Sequence, residues 1–370
     1  MSSSTSSSDP ADAQRRQDRA QGWRAGCAPD QGAWRRFFTR AVATAAISCA
    51  VVYAFVAAVD PWGVLRLHIP AERPPISTNA RFAFAGLARS DRFDAAIFGT
   101  STMRMLRPAA LNEAFGARFA NLAMNAATAY EQSRLFDVFL RAHPNPRAMV
   151  IGLDHVWCDA GPLQRYTPRA FPEAFYESSP WPAYREMLSF YAVQEAGRQF
   201  AVLTGMMRPR YGHDGYTRFL PPEDRYDAAR AAANLPALPP PETPRQVDTP
   251  PSDLPMPPLA LLDRMVRATP ADTRLVLVFM PLYLGAQGAP GTGSAAITEA
   301  CKRQVVAMAQ ARPGTVVLDF WRASPITREP TNYWDPMHYR DAIAERIEAA
   351  LSRAARGSAG PSEDYADLTP

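Results

Sequence analysis

Hydrophobic and polar positions divide the chain into one long apolar run and a region where short apolar runs alternate with amphipathic ones. Ala41–Val59 holds nineteen residues without a charge, and Phe37 and Phe38 extend the run across Arg40. At a rise of about 1.5 Å per residue such a helix nearly crosses a hydrocarbon core of about 30 Å. Arg15, Arg16, Arg19, Arg24, Arg35, Arg36 and Arg40 precede it, and it stops at Asp60. This bias predicts a single membrane-spanning helix over 37–59, with a cytoplasmic N-terminal segment (1–36) and everything after Asp60 outside. In a bacterial inner membrane the bulk of the chain is then periplasmic, and Trp62 fits an interfacial aromatic anchor. A leader cleaved near Ala57 and Ala58 is the alternative, but forty preceding residues are long for one. Residues 1–30, rich in Ser, Asp, Gln and Arg, read as disordered.

Residues 60–90 read as a juxtamembrane linker. Beyond them the pattern predicts strands over Asp94–Phe98, Phe119–Met124, Ala148–Leu153, Leu275–Met280 and Thr315–Phe320. Helical spacing falls over Pro108–Phe115, Tyr130–Ala142, Leu259–Thr269, Thr298–Ala311 and Ala342–Ala355. Alternating strands and helices imply an α/β domain (91–355) with a parallel central sheet and helices on both faces. Residues 161–258 break the alternation. They read as an insertion that caps one end of the sheet, with a helix over Trp181–Leu203 followed by proline-rich sequence, including Leu238–Pro241 and Leu254–Pro258, that is extended and loosely packed. Residues 356–370 read as a solvated tail.

Composition narrows the chemistry. The net charge of +4 comes without a long basic run, so there is no nucleic-acid footprint. Of the four cysteines, Cys158 and Cys301 fall in the main domain. Pairing is open in an oxidising compartment, but the favoured reading is two buried free thiols. No Cys/His cluster has metal-ligand spacing.

Ligands of open α/β sheets sit beyond the carboxyl ends of the strands. Ser101 follows the first strand, Asn121 and Asn125 surround the end of the second, and Asp154 follows the third. Tyr333–His338 (YWDPMH) precedes the last helix. Acyl transfer through serine needs an exposed hydroxyl, a base to take its proton and donors for the developing oxyanion. His338 is the candidate base, and Asp335, three residues earlier, is placed to hold its tautomer. Ser101 could instead cap a helix, as could Asp335. Asn121 is as well suited to tying a loop together. Tyr333 and Trp334 could line a groove, though packing under the helix is the commoner fate.

Four blocks together resemble the SGNH (GDSL-like) hydrolase and O-acyltransferase superfamily. They are Phe98-Gly99-Thr100-Ser101, Asn121 to Ala127 (NLAMNAA), Gly152-Leu153-Asp154 and Asp335-Pro336-Met337-His338. The likeness covers roughly residues 90–345, interrupted at the insertion. With its single anchor the chain is similar to membrane-bound members that act in lipoteichoic-acid D-alanylation and alginate acetylation. The resemblance implies a three-layer α/β/α sandwich and a Ser101–His338–Asp335 triad. It also implies an acylated envelope glycan or acyl donor as substrate, a membrane-bound O-acyltransferase as partner, and no metal or organic cofactor. The oxyanion glycine of the family falls on Ala126, whose backbone N–H can still donate. The asparagine of the third block falls on Asp154, and an ionised carboxylate cannot donate. Either Asn125 or another N–H then supplies that donor, or Asp154 has a different job. The competing expectation is a membrane-tethered scaffold or glycan-binding protein on a degenerate form of the fold.

Overall fold

Short runs of small, β-branched and aromatic residues form the strands β1 (Ala95–Phe98), β2 (Phe119–Asn121), β3 (Ala148–Leu153), β4 (Arg274–Phe279) and β5 (Val316–Asp319), with β6 (Ala366–Asp367) near the C-terminus. The structure is a computed structural model and describes residues 10–25, 31–67, 72–238, 254–357, 360 and 362–370. The helices are α1 (Pro10–Ala25), α2 (Gln31–Val59), α3 (Ala80–Leu87), α4 (Pro108–Phe115), α5 (Ala129–Ala142), α6 (Trp181–Glu186), α7 (Phe190–Leu203), α8 (Ala228–Ala233), α9 (Pro257–Ala268), α10 (Gly293–Gln310), α11 (Pro325–Arg328) and α12 (Asp341–Ala355). Two units divide at Phe55 and Val56. The first holds α1 and most of α2, which is long and apolar enough to cross a membrane. The second holds the sheet.

The sheet order is β2-β1-β3-β4-β5-β6, parallel throughout except for β6. Nearly every residue of β1 to β5 is buried, as strands covered on both faces require. One face (Ala95, Ile97, Val150, Val276, Val278, Leu318) packs on Leu111 and Phe115 of α4 and Ile343, Ile347 and Leu351 of α12. On the other face, the Phe98 ring lies 5.6 Å from Phe136 and 5.8 Å from Phe139 of α5. Helix α5 in turn packs on α9, and α9 on α10.

This topology sets the site. The strand order reverses direction between β1 and β3, and that switch point is where such sheets bind ligands. Phe98 is in register with Ile151. Ser101 and Asp154, each three residues further on, therefore leave the sheet side by side.

Several expectations need correction. Residues 60–90 are not a linker. They carry α3, and Trp62 is only 4% exposed instead of anchoring at an interface. Its ring packs on Phe82, Phe175 and Tyr191, and its Nε1 donates to Ser77 Oγ at 2.8 Å. The tail is not wholly solvated. Tyr365 is buried against Phe320, and β6 pairs with β5, covering what would be an open sheet edge. Cys158 and Cys301 are joined as a disulfide, closing 143 residues of chain. Residues 10–25, read as disordered, form α1, whose Ala, Gln and Arg content favours helix; residues 1–9 and 26–30 lie outside the described residues. The single helix expected over Trp181–Leu203 is two, because the Ser189 hydroxyl caps a new start by accepting from Ala192 N. Most of the proline-rich sequence (239–253) lies outside the described residues.

Candidate active site

Ser101 opens a three-residue 3-10 turn after β1. Gly99 has φ +153°, and a Cβ there or at Gly152 would run into the Met103 side chain. Glycine at both strand ends thus lets Met103 pack between β1 and β3, which tightens the turn and turns Ser101 away from the core. Ser101 does not cap a helix, because its hydroxyl is 2.8 Å from His338 Nε2. No helix dipole assists it, since α4 starts only at Pro108.

His338 comes from the loop before α12. Trp334 N donates to His338 O at 2.8 Å, and Tyr333 bridges Tyr339, closing that loop on itself. Tyr339 donates its hydroxyl to Thr102 O, which ties the histidine loop to the serine turn. Asp335 Oδ2 lies 2.6 Å from His338 Nδ1, while its Oδ1 accepts from Met337 N and His338 N, both at 2.9 Å. Asp335 caps nothing, as α12 starts after Arg340. Burial pushes the Asp335 carboxyl up. The hydrogen bond and charge of His338, with the two backbone donors, outweigh burial, and the carboxyl ends below its ordinary range. Phe219, from the insertion, stands edge-on to the His338 ring at 5.5 Å. A serine, a histidine and an aspartate from opposite ends of the domain therefore form one hydrogen-bonded line.

The remaining predicted residues divide by role. Asn121 gives both amide hydrogens to the Met103 and Leu106 carbonyls, at 3.1 and 2.9 Å, and accepts from Ala123 N at 3.0 Å. It braces the serine turn and has no donor left for a substrate. Asp154 is wholly buried. Its Oδ2 accepts from Thr100 and, at 3.4 Å, from Thr102, and its Oδ1 accepts from Val156 N at 3.1 Å. It clamps the residues on either side of Ser101. Asn125 Oδ1 accepts from Arg104 Nη1 at 2.9 Å, which leaves the Asn125 NH2 turned the other way. Ala126 has φ +50°, the left-handed region that favours glycine. Among the described residues, neither the Ser101 N–H nor the Ala126 N–H meets a protein acceptor.

Two arginines, Arg81 and Arg104, hold the loop that carries Asn125 and Ala126. Arg81 of α3 is fully buried. It pairs with Glu131 through Nε (2.9 Å) and Nη2 (2.6 Å), and donates to the Asn125 and Ala126 carbonyls at 3.2 Å each. Arg104 is buried between Tyr211 and Phe219 at 5.5 and 4.9 Å, and desolvation lowers its pKa. The signal for Arg81 was its place in an apolar helical run (ARFAFAGL), where a charge needs a buried partner. Tyr333 is buried in the core and Trp334 packs edge-on against Tyr226 at 5.1 Å. Among the described residues, no group of three or more His, Cys, Asp or Glu side chains could hold a metal ion. No family model, no curated protein and no solved structure matches the chain.

Proposed function

We propose that the chain is a membrane-anchored acyl-serine enzyme of the SGNH type, an O-acyltransferase or esterase acting on an envelope polysaccharide. The observation that carries this reading is the line Ser101 Oγ–His338 Nε2 (2.8 Å) and His338 Nδ1–Asp335 Oδ2 (2.6 Å). Neutral His338 takes the Ser101 proton as Oγ attacks the acyl carbonyl, and then gives that proton to the departing alcohol. A sugar hydroxyl or water, deprotonated by the same nitrogen, attacks the acyl-enzyme and restores Ser101. Asp335 keeps the proton on Nδ1 and stabilises the imidazolium. The donors assigned to the oxyanion in this reading are the Ser101 and Ala126 N–H groups, which meet no acceptor among the described residues, and the Asn125 NH2. Asp154 does not oppose them, because its oxygens are taken by Thr100, Thr102 and Val156.

The parallel sheet with a helical group on each face supports the SGNH-type sandwich. The Cys158–Cys301 disulfide supports an oxidising compartment, hence the periplasmic side. Partnership with a membrane-bound O-acyltransferase follows from the resemblance alone. The test is pre-steady-state hydrolysis of a p-nitrophenyl acetate by the detergent-solubilised full chain. A burst of one nitrophenol per chain, absent in Ser101→Ala, is expected; folded wild-type protein without a burst or turnover favours the scaffold reading.

A further inference from the structure

Helix α7 buries Ala192, Glu195, Ala196 and Gln199, while its exposed side mixes Gln194 and Arg198 with the apolar Phe190 (85% exposed), Val193 and Phe200. Glu195 is satisfied inside by Ser77 and by Arg198 Nη1 at 3.0 Å. Trp181 (72%) of α6, Leu188 (70%) in the α6–α7 corner and Leu67 (74%) are exposed as well. Large apolar side chains gathered this way mark a contact surface on a folded domain.

The neighbourhood says what covers it. The last turn of α2, with Val56 and Val59 buried, belongs to the same unit as α6 and α7. Two residues past Asp60, the Trp62 ring lies 5.6 Å from Tyr191 of α7, and Leu67 N donates to Tyr184 of α6 at 3.0 Å. With Val56 and Val59 already packed in the domain, a chain that leaves a bilayer just before them keeps these helices close to the hydrocarbon edge, because Trp62 lies only three residues past Val59 and a residue reaches at most about 3.6 Å. Arg66 and Arg185 flank the patch, are exposed, and meet no carboxylate among the described residues. Trp, Phe and Leu beside Arg is the composition of a segment lying in the lipid–water interface.

We infer that Leu67, Trp181, Leu188, Phe190 and Val193 form a second, monotopic contact with the bilayer that α2 crosses, with Arg66 and Arg185 on anionic headgroups. This rests on α2 spanning a membrane and is independent of the chemistry at Ser101. The surface would hold the domain in one orientation and set the height of its site above the membrane.

The test reconstitutes the full chain in phosphatidylethanolamine–phosphatidylglycerol vesicles and measures nitroxide collision with oxygen and with a water-soluble nickel chelate. All labels are placed in a Cys27→Ser background: one on native Cys49, one on Phe190→Cys with Cys49→Ser added, and one on Gln310→Cys with Cys49→Ser added as a water-exposed reference. The expected result is a Phe190→Cys label that favours oxygen over nickel, as the Cys49 label does, opposite to the Gln310→Cys label. A Phe190→Cys label matching the reference while the Cys49 label stays in lipid overturns the inference and leaves the anchor intact. A Phe190→Cys label shielded from both reagents overturns it in favour of a protein on this face. A Cys49 label exposed to nickel removes the anchor and the inference together.

Discussion

Asp335 and Asp154 both approach the serine turn, one from the loop before α12 and the other from the end of β3, but their surroundings differ. The Asp335 side chain is partly open to solvent, accepts from its own loop and from a histidine, and has a depressed pKa. The Asp154 side chain is sealed, and what it meets is two threonine hydroxyls and a backbone N–H. The same residue type is a member of a Ser–His hydrogen-bonded line in one place and a clamp in the other, and the neighbours decide which. Changing each aspartate to asparagine separates the two roles.

The largest effect falls on Asp335→Asn. An amide NH2 facing Nδ1 imposes the wrong histidine tautomer, so ester turnover drops about 10³- to 10⁴-fold while the fold persists, as rates and circular dichroism would report. Asp154→Ala comes next. It removes the acceptor of the Val156 N–H and leaves the Thr100 and Thr102 hydroxyls only each other in the interior, and urea denaturation should register a loss of about 2–3 kcal/mol. Asp154→Asn is the sharper probe. Threonine hydroxyls can accept as well as donate, so turnover stays within about tenfold of wild type. If Asp154→Asn instead speeds turnover markedly, position 154 is an oxyanion donor site and the clamp reading fails.

Titration gives a smaller difference of known sign. A carboxyl depressed in the folded state adds stability above its ordinary pKa of 3.8, and that contribution is lost as pH falls through the lower folded value. The stability gap between wild type and Asp335→Asn should therefore narrow between pH 5 and pH 3. A gap that widens on acidification contradicts the assignment. The smallest effect is at the loop held by Arg81: Ala126→Gly relieves a left-handed alanine and should raise stability by about 0.5 kcal/mol with little change in rate.

Much of this was legible in the chain. Strands that are buried on both faces show as apolar runs, and β3 and α4 have the expected ends. Ser101, Asp335 and His338 were visible because a strand end and a three-residue spacing are local signals. What the sequence hid depends on distant partners. Asp154 reads as a misplaced oxyanion residue until Thr100 and Thr102 are seen against it. Arg81 sits in residues taken for a linker, and only Glu131, fifty residues on, shows why it is there. The Cys158–Cys301 bond spans 143 residues, and the tail pairs with β5 through two residues only. Such contacts leave no periodicity to read.

The central claim is an activated Ser101, and the most direct measurement is labelling of the full-length chain with a fluorophosphonate followed by intact mass. The account predicts one adduct per chain on Ser101, lost in Ser101→Ala and strongly slowed in His338→Ala and Asp335→Asn, but retained in Asp154→Asn. Folded wild-type protein that takes up no label, or that labels equally well without His338, would contradict it.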